Sequence, residues 1–316
     1  MFYSTRHVRI VGSGSYAPER VVTNEELAAR VATNATWIES TLGIRERRVA
    51  RDDEFTSDLA ARAGLRAIDS AGIRKSEVDL VILATATPDR KAPSAACLAQ
   101  MKMGLDNNCP AFDVAAVCSG FLYAMTVGCQ FIQTGMYRNV LVIGADTFSK
   151  ITDWERRDCV FFGDGAGAVV LQTSPEGEGL FSSVLYADGR GYEGFTVPPG
   201  DRHFSMNGKA VFETGSTVLT AAIREVVSKN GYALSDVAAV IPHQPSLRLL
   251  QRTAELLELP FERFHTNMAR YANTSGGTIP LLLDEVHRDG RLRSGDVIVF
   301  AAVGSGWTWG ASIYRW

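Results

Sequence analysis

The stretch FDVAAVCSGFLYAM, residues 112–125, passes from small apolar residues through Cys118 and Ser-Gly into helical spacing. Apolar runs without alternation are typical of strands buried on both faces of a sheet, and Gly120 allows a close approach of the backbone. We therefore predict a strand-to-helix junction that places the Cys118 thiol at a helix N-terminus, where free N–H groups and the dipole favour a thiolate. The alternative is a buried structural cysteine, the commoner role of a single cysteine.

Further buried strands are predicted on both sides of this stretch, with helical patterns between them. A helix is predicted over residues 56–72, because Thr56 and Ser57 provide a start and Gly72 a stop. The predicted strands of the first half are VRIVGSGSY (8–16), DLVILATAT (79–87), AFDVAAV (111–117), NVLVIGAD (139–146) and GAVVLQ (167–172). Strands that alternate with helices indicate an α/β fold.

The second half of the chain repeats the pattern of the first. Four segments recur in the same order: VDLVILATATPD as VAAVIPHQPS, FDVAAVCSGFLYAM as FHTNMARYANTSGGTIPLLLDEV, NVLVIGAD as DVIVFAAV, and FGDGAGAVVL as GSGWTWGASIYRW. Such a repeat predicts two similar halves packed together, residues 1–172 and 180–316. The boundary is expected near the loop TSPEGEGL, residues 173–180, where turn residues cluster.

The repeat places three polar side chains at related positions of the two halves. Cys118 and Asn273 occupy corresponding strand-to-helix junctions, and His243 follows a predicted strand. Because ligands of open α/β sheets bind at the carboxyl ends of strands, we expect the three to converge. An imidazole can donate from Nε2 or act as acid or base, and a neutral amide can stabilise an oxyanion or enolate. The alternatives are a locally hydrogen-bonded histidine and a plain helix N-cap at Asn273.

Composition and charge exclude several classes of protein. The chain has 316 residues, 46% hydrophobic and 21% charged, with a net charge of −3, so no basic surface for nucleic acid is expected. No apolar run is long enough to span a bilayer, and the N-terminus lacks the pattern of an export signal. The five cysteines are an odd number without C-x-x-C spacing, which predicts a reducing cytoplasm, no disulfide framework and no metal site.

The chain resembles β-ketoacyl-acyl carrier protein synthase III, a condensing enzyme of the thiolase superfamily, over essentially its whole length. The segments that carry the resemblance are TWIESTLGIRERR, PSAACLAQ, FDVAAVCSGF, FGDGAGAVVL, IPHQPSLR, NTSGGT and GWTWGAS. The resemblance implies a five-layered αβαβα fold built from two duplicated halves, in a homodimer. It also implies no cofactor beyond a CoA thioester that serves as substrate.

The resemblance further implies a catalytic triad of Cys118, His243 and Asn273. Cys118 would be acylated by acyl-CoA, with the tetrahedral oxyanion held by the backbone N–H groups of Cys118 and Ser305. A malonyl thioester, on acyl carrier protein or on CoA, would then lose CO₂ and condense with the acyl group. His243 Nε2 and the Asn273 side chain would hold the resulting enolate.

Substrate-binding positions follow from the same resemblance. Trp37 would stack near the adenine of CoA with Arg156 beside it, and Arg248 would lie where an acidic carrier protein docks. The pantetheine tunnel would be lined by Asn207, Gly208, Phe212 and Ser246.

Four positions depart from the usual pattern of the family. Ser246 stands where Asn is usual, and Ala92, which would reach the acyl pocket of a partner subunit, stands where Phe is usual. Thr41 replaces an Arg that contacts CoA, and Val303 replaces a common Phe. These departures predict conserved chemistry with altered specificity.

Three alternatives follow from the sequence. One is a specialised secondary-metabolism ketosynthase, or a non-decarboxylating acyltransferase on the same fold, with an enlarged or altered acyl pocket. Another is a Cys-His-Asn hydrolase of the papain type, which the chain order allows but the repeated α/β halves do not favour. The third is a catalytically silent scaffold, which an intact triad does not favour.

Overall fold

The structure is a computed structural model that describes residues 7–174, 179 and 181–316. The strands in this part of the chain are β1 His7–Tyr16, β2 Arg20–Thr23, β3 Glu46–Val49, β4 Leu80–Ala84, β5 Ala111–Val114, β6 Asn139–Thr147, β7 Asp164–Ser174, β8 Phe181–Ala187, β9 Phe195–Thr196, β10 Ser205–Met206, β11 Val237–Pro242, β12 Val297–Gly304 and β13 Thr308–Arg315. The α-helices are α1 Asn24–Ala28, α2 Ala35–Leu42, α3 Thr56–Ser70, α4 Ala95–Met103, α5 Gly120–Gln133, α6 Gly208–Lys229, α7 Leu247–Leu257, α8 Met268–Tyr271 and α9 Thr278–Arg288.

Two main sheets share one topology. The first has the order β1-β7-β6-β4-β5, and the second, read from its β8 edge, has the order β8-β13-β12-β11. In both, the pairing is antiparallel on the side of β1 or β8 and parallel on the side of β4 or β11. Where the first sheet has β5, the second has a single parallel bridge between Val240 and Phe264. The segments that echo one another in the sequence therefore occupy equivalent places.

The helices complete five layers. Helices α3 and α4 cover the outer face of the first sheet, α5 and α9 lie between the two sheets, and α6 and α7 cover the outer face of the second. One buried apolar cluster lies under the outer helices of each sheet, and a third fills the central layer between the two sheets, as expected when both faces of a sheet are covered. The predicted αβαβα fold is confirmed.

The division of the chain into 1–172 and 180–316 stays a prediction. Strand β7 continues to Ser174, and β8 begins at Phe181. Residues 175–178 and 180 of the loop TSPEGEGL, where the boundary was predicted, lie outside the described residues.

Candidate active site

Cys118 lies in a tight turn between β5 and α5. Residues Val117–Ser119 form a short 3-10 helix, and Val117 has a φ of +47°. A positive φ is costly for a β-branched residue, so the surrounding packing must hold this conformation. The turn places the cysteine at the start of α5, as the sequence predicts, with its side chain lining a pocket and 8% exposed.

Polar groups from the second half of the chain lie against the sulfur. The Nδ2 amide of Asn273 donates to Cys118 Sγ at 3.9 Å, and the thiol donates to Ser275 Oγ at 3.7 Å. Asn273 Oδ1 accepts the backbone N–H of Ser275 at 2.8 Å, and this bond orients the amide with Nδ2 toward the sulfur. The N-cap of α9 is Gly277, whereas the Asn273 oxygen binds the first N–H of the 3-10 turn Ser275–Gly277 that leads into this helix, so capping of the turn and orientation of Nδ2 occur together.

His243 follows β11, and its ring is oriented by the backbone of β12. The backbone N–H of His243 donates to the carbonyl of Ala301 at 2.9 Å, while the ring Nδ1 accepts the backbone N–H of Val303 at 3.4 Å. Because Nδ1 accepts, the ring proton belongs on Nε2. Burial lowers the pKa of His243 to about 3, so the imidazole is neutral at pH 7. It is therefore a hydrogen-bond donor rather than a cation.

Burial also determines the protonation state of the Cys118 thiol. Burial raises the pKa of Cys118 to about 12, and the nearby charge of Asp146 adds to the rise, while the hydrogen bonds with Ser275 and Asn273 lower the pKa. The prediction that the helix N-terminus keeps this sulfur ionised is therefore wrong, because desolvation outweighs the hydrogen bonds that lower the pKa. The thiol must lose its proton as it attacks.

Ser275 and Asp146 are two site residues that sequence reasoning missed. The Asp146 carboxylate is fully buried, and it accepts the N–H of Ala86 at 2.7 Å and the N–H of Gly276 at 2.9 Å. Burial raises its pKa, and hydrogen bonds, one of them from Ser275, oppose the rise. The carboxylate thus ties the end of β6 to the segment that carries Asn273. An aspartate at the end of the buried run NVLVIGAD was the available signal.

The turn after β12 packs directly against the cysteine. A methyl group on Gly304 would lie 3.0 Å from the backbone nitrogen of Cys118 and 3.0 Å from the carbonyl oxygen of Ala116, so only glycine allows this approach without displacement. Ser305 lines the same pocket, and its hydroxyl donates to the carbonyl of Phe195. The two predicted oxyanion-hole residues therefore lie on backbone segments in contact.

The pocket itself is mostly apolar and encloses about 660 Å³, part of it open to solvent. Cys118, His243 and Asn273 are its convergent polar groups, and such a combination is typical of sites for small molecules. Its walls come from Val117, Phe161, Phe162, Phe195, Met206, Gly208, Val211, Phe212, Pro245, Ser246, Leu249, Val303, Gly304, Ser305 and Trp307.

A surface recess around Trp37 shares three wall residues with this pocket, Phe161, Met206 and Gly208. The guanidinium of Arg157 lies 4.1 Å from the centre of the Trp37 ring, which is cation–π contact distance. Arg156, the residue named from the sequence, lines the recess but pairs with Asp158 at 2.7 Å. Sequence reasoning missed Arg157, although the Arg-Arg doublet was visible.

The remaining predicted residues fall into two groups. Gly208, Phe212 and Ser246 line the pocket, and Ser246 Oγ also accepts the N–H of Leu249 at 3.3 Å, which caps α7. Asn207 is not among the wall residues; its side chain caps α6 by accepting the N–H of Ala210. Its predicted contact with substrate stays a prediction.

Arg248 and Ala92 both lie on the surface of the single chain. Among the described residues Arg248 forms no ion pair, and an exposed, unpaired cation is consistent with the predicted docking role. The predicted contact of Ala92 with a partner subunit stays a prediction.

The described residues contain neither a metal-binding cluster nor a membrane-spanning helix. No group of three or more His, Cys, Asp or Glu side chains there is arranged to hold a metal ion. No helix in the same part of the chain is both long and apolar enough to cross a membrane.

The five layers and the cysteine at the central sheet-to-helix junction define a condensing acyltransferase of the thiolase fold. Residues 112–189 match the profile of 3-oxoacyl-[acyl-carrier-protein] synthase III, and residues 227–316 match the profile of its C-terminal part. The chain belongs to the β-ketoacyl-acyl carrier protein synthase III family.

Relatives and solved structures agree over the full length. The synthase III of Erythrobacter litoralis is 47% identical, over 97% of this chain and 98% of its own length. That of Neisseria meningitidis serogroup A is 42% identical, over 98% of this chain and 100% of its own. The crystal structure of the Aquifex aeolicus synthase III has a TM-score of 0.95 and 39% identity, and covers 98% of this chain and 100% of that one.

The comparisons also decide between the alternatives. The priming ketosynthase of the R1128 polyketide pathway has a TM-score of 0.93 but 29% identity, covering 100% of this chain and 98% of that one. The relatives named β-ketoacyl-acyl carrier protein synthase III are more similar, so the specialised ketosynthase is not favoured. The papain-type hydrolase and the silent scaffold are excluded, because the chain is a condensing enzyme of this family.

Proposed function

We propose that Cys118 accepts an acyl group from acyl-CoA and that the acyl-enzyme then condenses with a malonyl thioester. The observation that carries this proposal is the contact of the Cys118 sulfur with the neutral Asn273 amide, in a pocket that His243 also lines. Neutral donors suit a reaction that passes through an oxyanion and an enolate.

In the first half-reaction the Cys118 sulfur bonds to the thioester carbonyl carbon, and the C–S bond to CoA breaks. The proton lost by the thiol balances the proton gained by the departing CoA sulfur. We assign the transient oxyanion to the N–H groups of Cys118 and Ser305. His243 is a poor base here, because its Nδ1 already accepts from Val303 and burial holds its pKa low.

In the second half-reaction the malonyl thioester binds with its carbonyl oxygen at His243 Nε2–H and Asn273 Nδ2–H. The bond to the carboxylate breaks, CO₂ leaves, and the electron pair enters the enolate that these two donors stabilise. The enolate carbon attacks the acyl carbonyl, the bond to sulfur breaks, and Cys118 regains a proton. The product is a β-ketoacyl thioester, and none of these steps requires a metal or a redox cofactor.

We further propose that the CoA part of the donor lies in the recess of Trp37, with its adenine against the indole. Arg157 and Arg156 both lie in this recess, and their positive charges suit the phosphate groups of CoA. Gly208, Phe212 and Ser246 line the path to the sulfur, and Asn207 joins them at its entrance.

We assign the malonyl thioester to malonyl-acyl carrier protein, because the relatives are named for that carrier protein. Arg248 is the cation at which the carrier protein would dock.

The proposal includes a homodimer in which Ala92 enters the partner's acyl pocket. It is supported by β5, whose outer edge is unpaired within the described residues and would otherwise be exposed to other strands. Free thiols at all five cysteines suit the reducing cytoplasm.

Intact-mass measurement after exposure to acyl-CoAs from acetyl to dodecanoyl tests the proposal. We expect one acyl adduct per chain from at least one donor, mapped to the peptide that contains Cys118. Cys118→Ala must lose the adduct, and Cys129→Ala, a matched change at a fully buried thiol, must keep it. No adduct from any thioester, or an adduct on another residue, contradicts the proposal.

A further inference from the structure

Two hydroxyl groups lie behind the proposed oxyanion site, and nothing in the mechanism above uses them. Ser119 Oγ and Thr308 Oγ1 are 2.6 Å apart, although 189 positions separate them in the sequence. Ser119 is fully buried next to Cys118, and Thr308 is the first residue of β13.

The two hydroxyls lie between the backbone carbonyl of Ala116, in the turn before α5, and the backbone carbonyl of Ser305, in the turn after β12. Thr308 Oγ1 lies 3.1 Å from the carbonyl oxygen of Ser305 and 3.2 Å from that of Ala116, while Ser119 Oγ lies 3.0 Å from Ala116 O. Ala116 O already accepts the N–H of Ser119 at 3.1 Å. The two hydroxyl protons are therefore best used in a chain, from Ser119 to Thr308 and from Thr308 to the Ser305 carbonyl.

This pair of hydrogen bonds joins the two backbone segments that carry the proposed oxyanion donors. One donor is the N–H of Cys118, directly before Ser119, and the other is the N–H of Ser305, whose own carbonyl Thr308 binds. The segments are already in close contact, because a methyl group on Gly304 would lie 3.0 Å from Cys118 N. A donor pair stabilises an oxyanion only when both N–H groups keep their spacing and direction.

We propose that Ser119 and Thr308 form a hydroxyl clamp that fixes the spacing of the Cys118 and Ser305 N–H groups. Both are positioning residues, since they act through the backbone and do not touch the substrate. The inference rests on the proposed function, because it assigns a geometric support to that oxyanion site.

The test compares two reactions of the same sulfur. Acylation by acetyl-CoA passes through an oxyanion, whereas alkylation by iodoacetamide displaces iodide and forms none. In Thr308→Val, Ser119 keeps Ala116 O as acceptor, so the fold is expected to persist. We expect single-turnover acylation of Cys118 to fall at least tenfold, with the alkylation rate within about twofold of wild type, since loss of a full oxyanion donor costs about 10²–10³.

Two further variants complete the experiment. Thr308→Ser restores the hydroxyl and is expected to recover most of the acylation rate, while Ser119→Ala is expected to resemble Thr308→Val. Wild-type acylation by Thr308→Val overturns the clamp, and so does an equal loss of acylation and alkylation, which would indicate a purely structural role. If the wild-type enzyme itself is not acylated, the proposed function fails and the clamp fails with it.

Discussion

Asn273 Nδ2 lies 3.9 Å from Cys118 Sγ, although 155 positions separate the two residues. The contact exists because both residues follow equivalent places in two sheets of the same topology, β5 in the first and the Val240–Phe264 bridge in the second. Helices α5 and α9 start just beyond them and lie together between the sheets. The duplication thus produces the site: one half supplies the nucleophile, and the other supplies the donor that faces it.

Asn273→Asp should abolish condensation more completely than Asn273→Ala. The aspartate would place a second buried negative charge near Asp146 and beside the sulfur, and it would lose the N–H that we assign to the enolate. We expect decarboxylation of the malonyl thioester to fall about 10²–10³-fold in the alanine variant, as for loss of an oxyanion donor. The measurement is CO₂ release by pre-acylated enzyme. Asn230→Ala, remote from the pocket at the end of α6, is the control, and an equal loss there would contradict the assignment.

His243 should make the folded state less stable as the pH falls. Burial lowers its pKa to about 3 in the folded chain, while the unfolded chain protonates it near pH 6.5. Below pH 6.5 the unfolded state therefore binds the extra proton, so the free energy of unfolding decreases as the pH decreases, by up to about 1.4 kcal/mol per pH unit.

The comparison of wild type with His243→Asn isolates this contribution. Between pH 6.5 and 5 the wild-type free energy of unfolding should decrease more steeply than that of the variant. Asp164, whose pKa burial raises to about 6, contributes with the opposite sign, but it does so equally in both proteins. Parallel pH dependences in urea unfolding would show that His243 is not buried as the structure places it.

Much of this site could be predicted from the sequence, for physical reasons that differ between residues. The strands before Cys118 and His243 are continuous apolar runs, and the sequence repeat places their carboxyl ends at related positions of two sheets, so the convergence could be predicted from the repeat. The ionisation of Cys118 did not follow, because desolvation depends on all of the surrounding atoms. The position of Arg157 over Trp37 also did not, since the direction of a surface side chain leaves no periodic signal.

Arg157→Ala should weaken CoA binding more than Arg156→Ala does. Arg157 lies over Trp37, whereas Arg156 is paired with Asp158. We expect the KM for acetyl-CoA to rise roughly tenfold in Arg157→Ala, from the loss of a cation beside phosphate and of a stacking partner. The KM for acetyl-pantetheine, which lacks the nucleotide, should not change. A larger effect of Arg156→Ala would contradict the dominant role that we assign to Arg157.

Ala92→Phe should shift the enzyme toward short acyl donors. If Ala92 enters the acyl pocket of a partner subunit, a phenyl ring there would occupy space that a long chain needs. We expect the ratio of kcat/KM for octanoyl-CoA to that for acetyl-CoA to fall at least tenfold, about the discrimination that a few methylenes provide in an apolar pocket. Lys91→Phe, an exposed neighbour, controls for the added aromatic surface. An unchanged ratio would remove Ala92 from the acyl pocket.

The carbon balance of a single turnover tests the proposed condensation most directly. Enzyme acetylated at Cys118 is mixed with malonyl-acyl carrier protein labelled in its free carboxylate, and the acyl-cysteine, the CO₂ and the β-ketoacyl product are measured in parallel. We expect one CO₂ per product, with acetyl-Cys118 disappearing at the rate at which product forms. Product without CO₂, or product that accumulates while Cys118 stays acetylated, would contradict the proposed condensation.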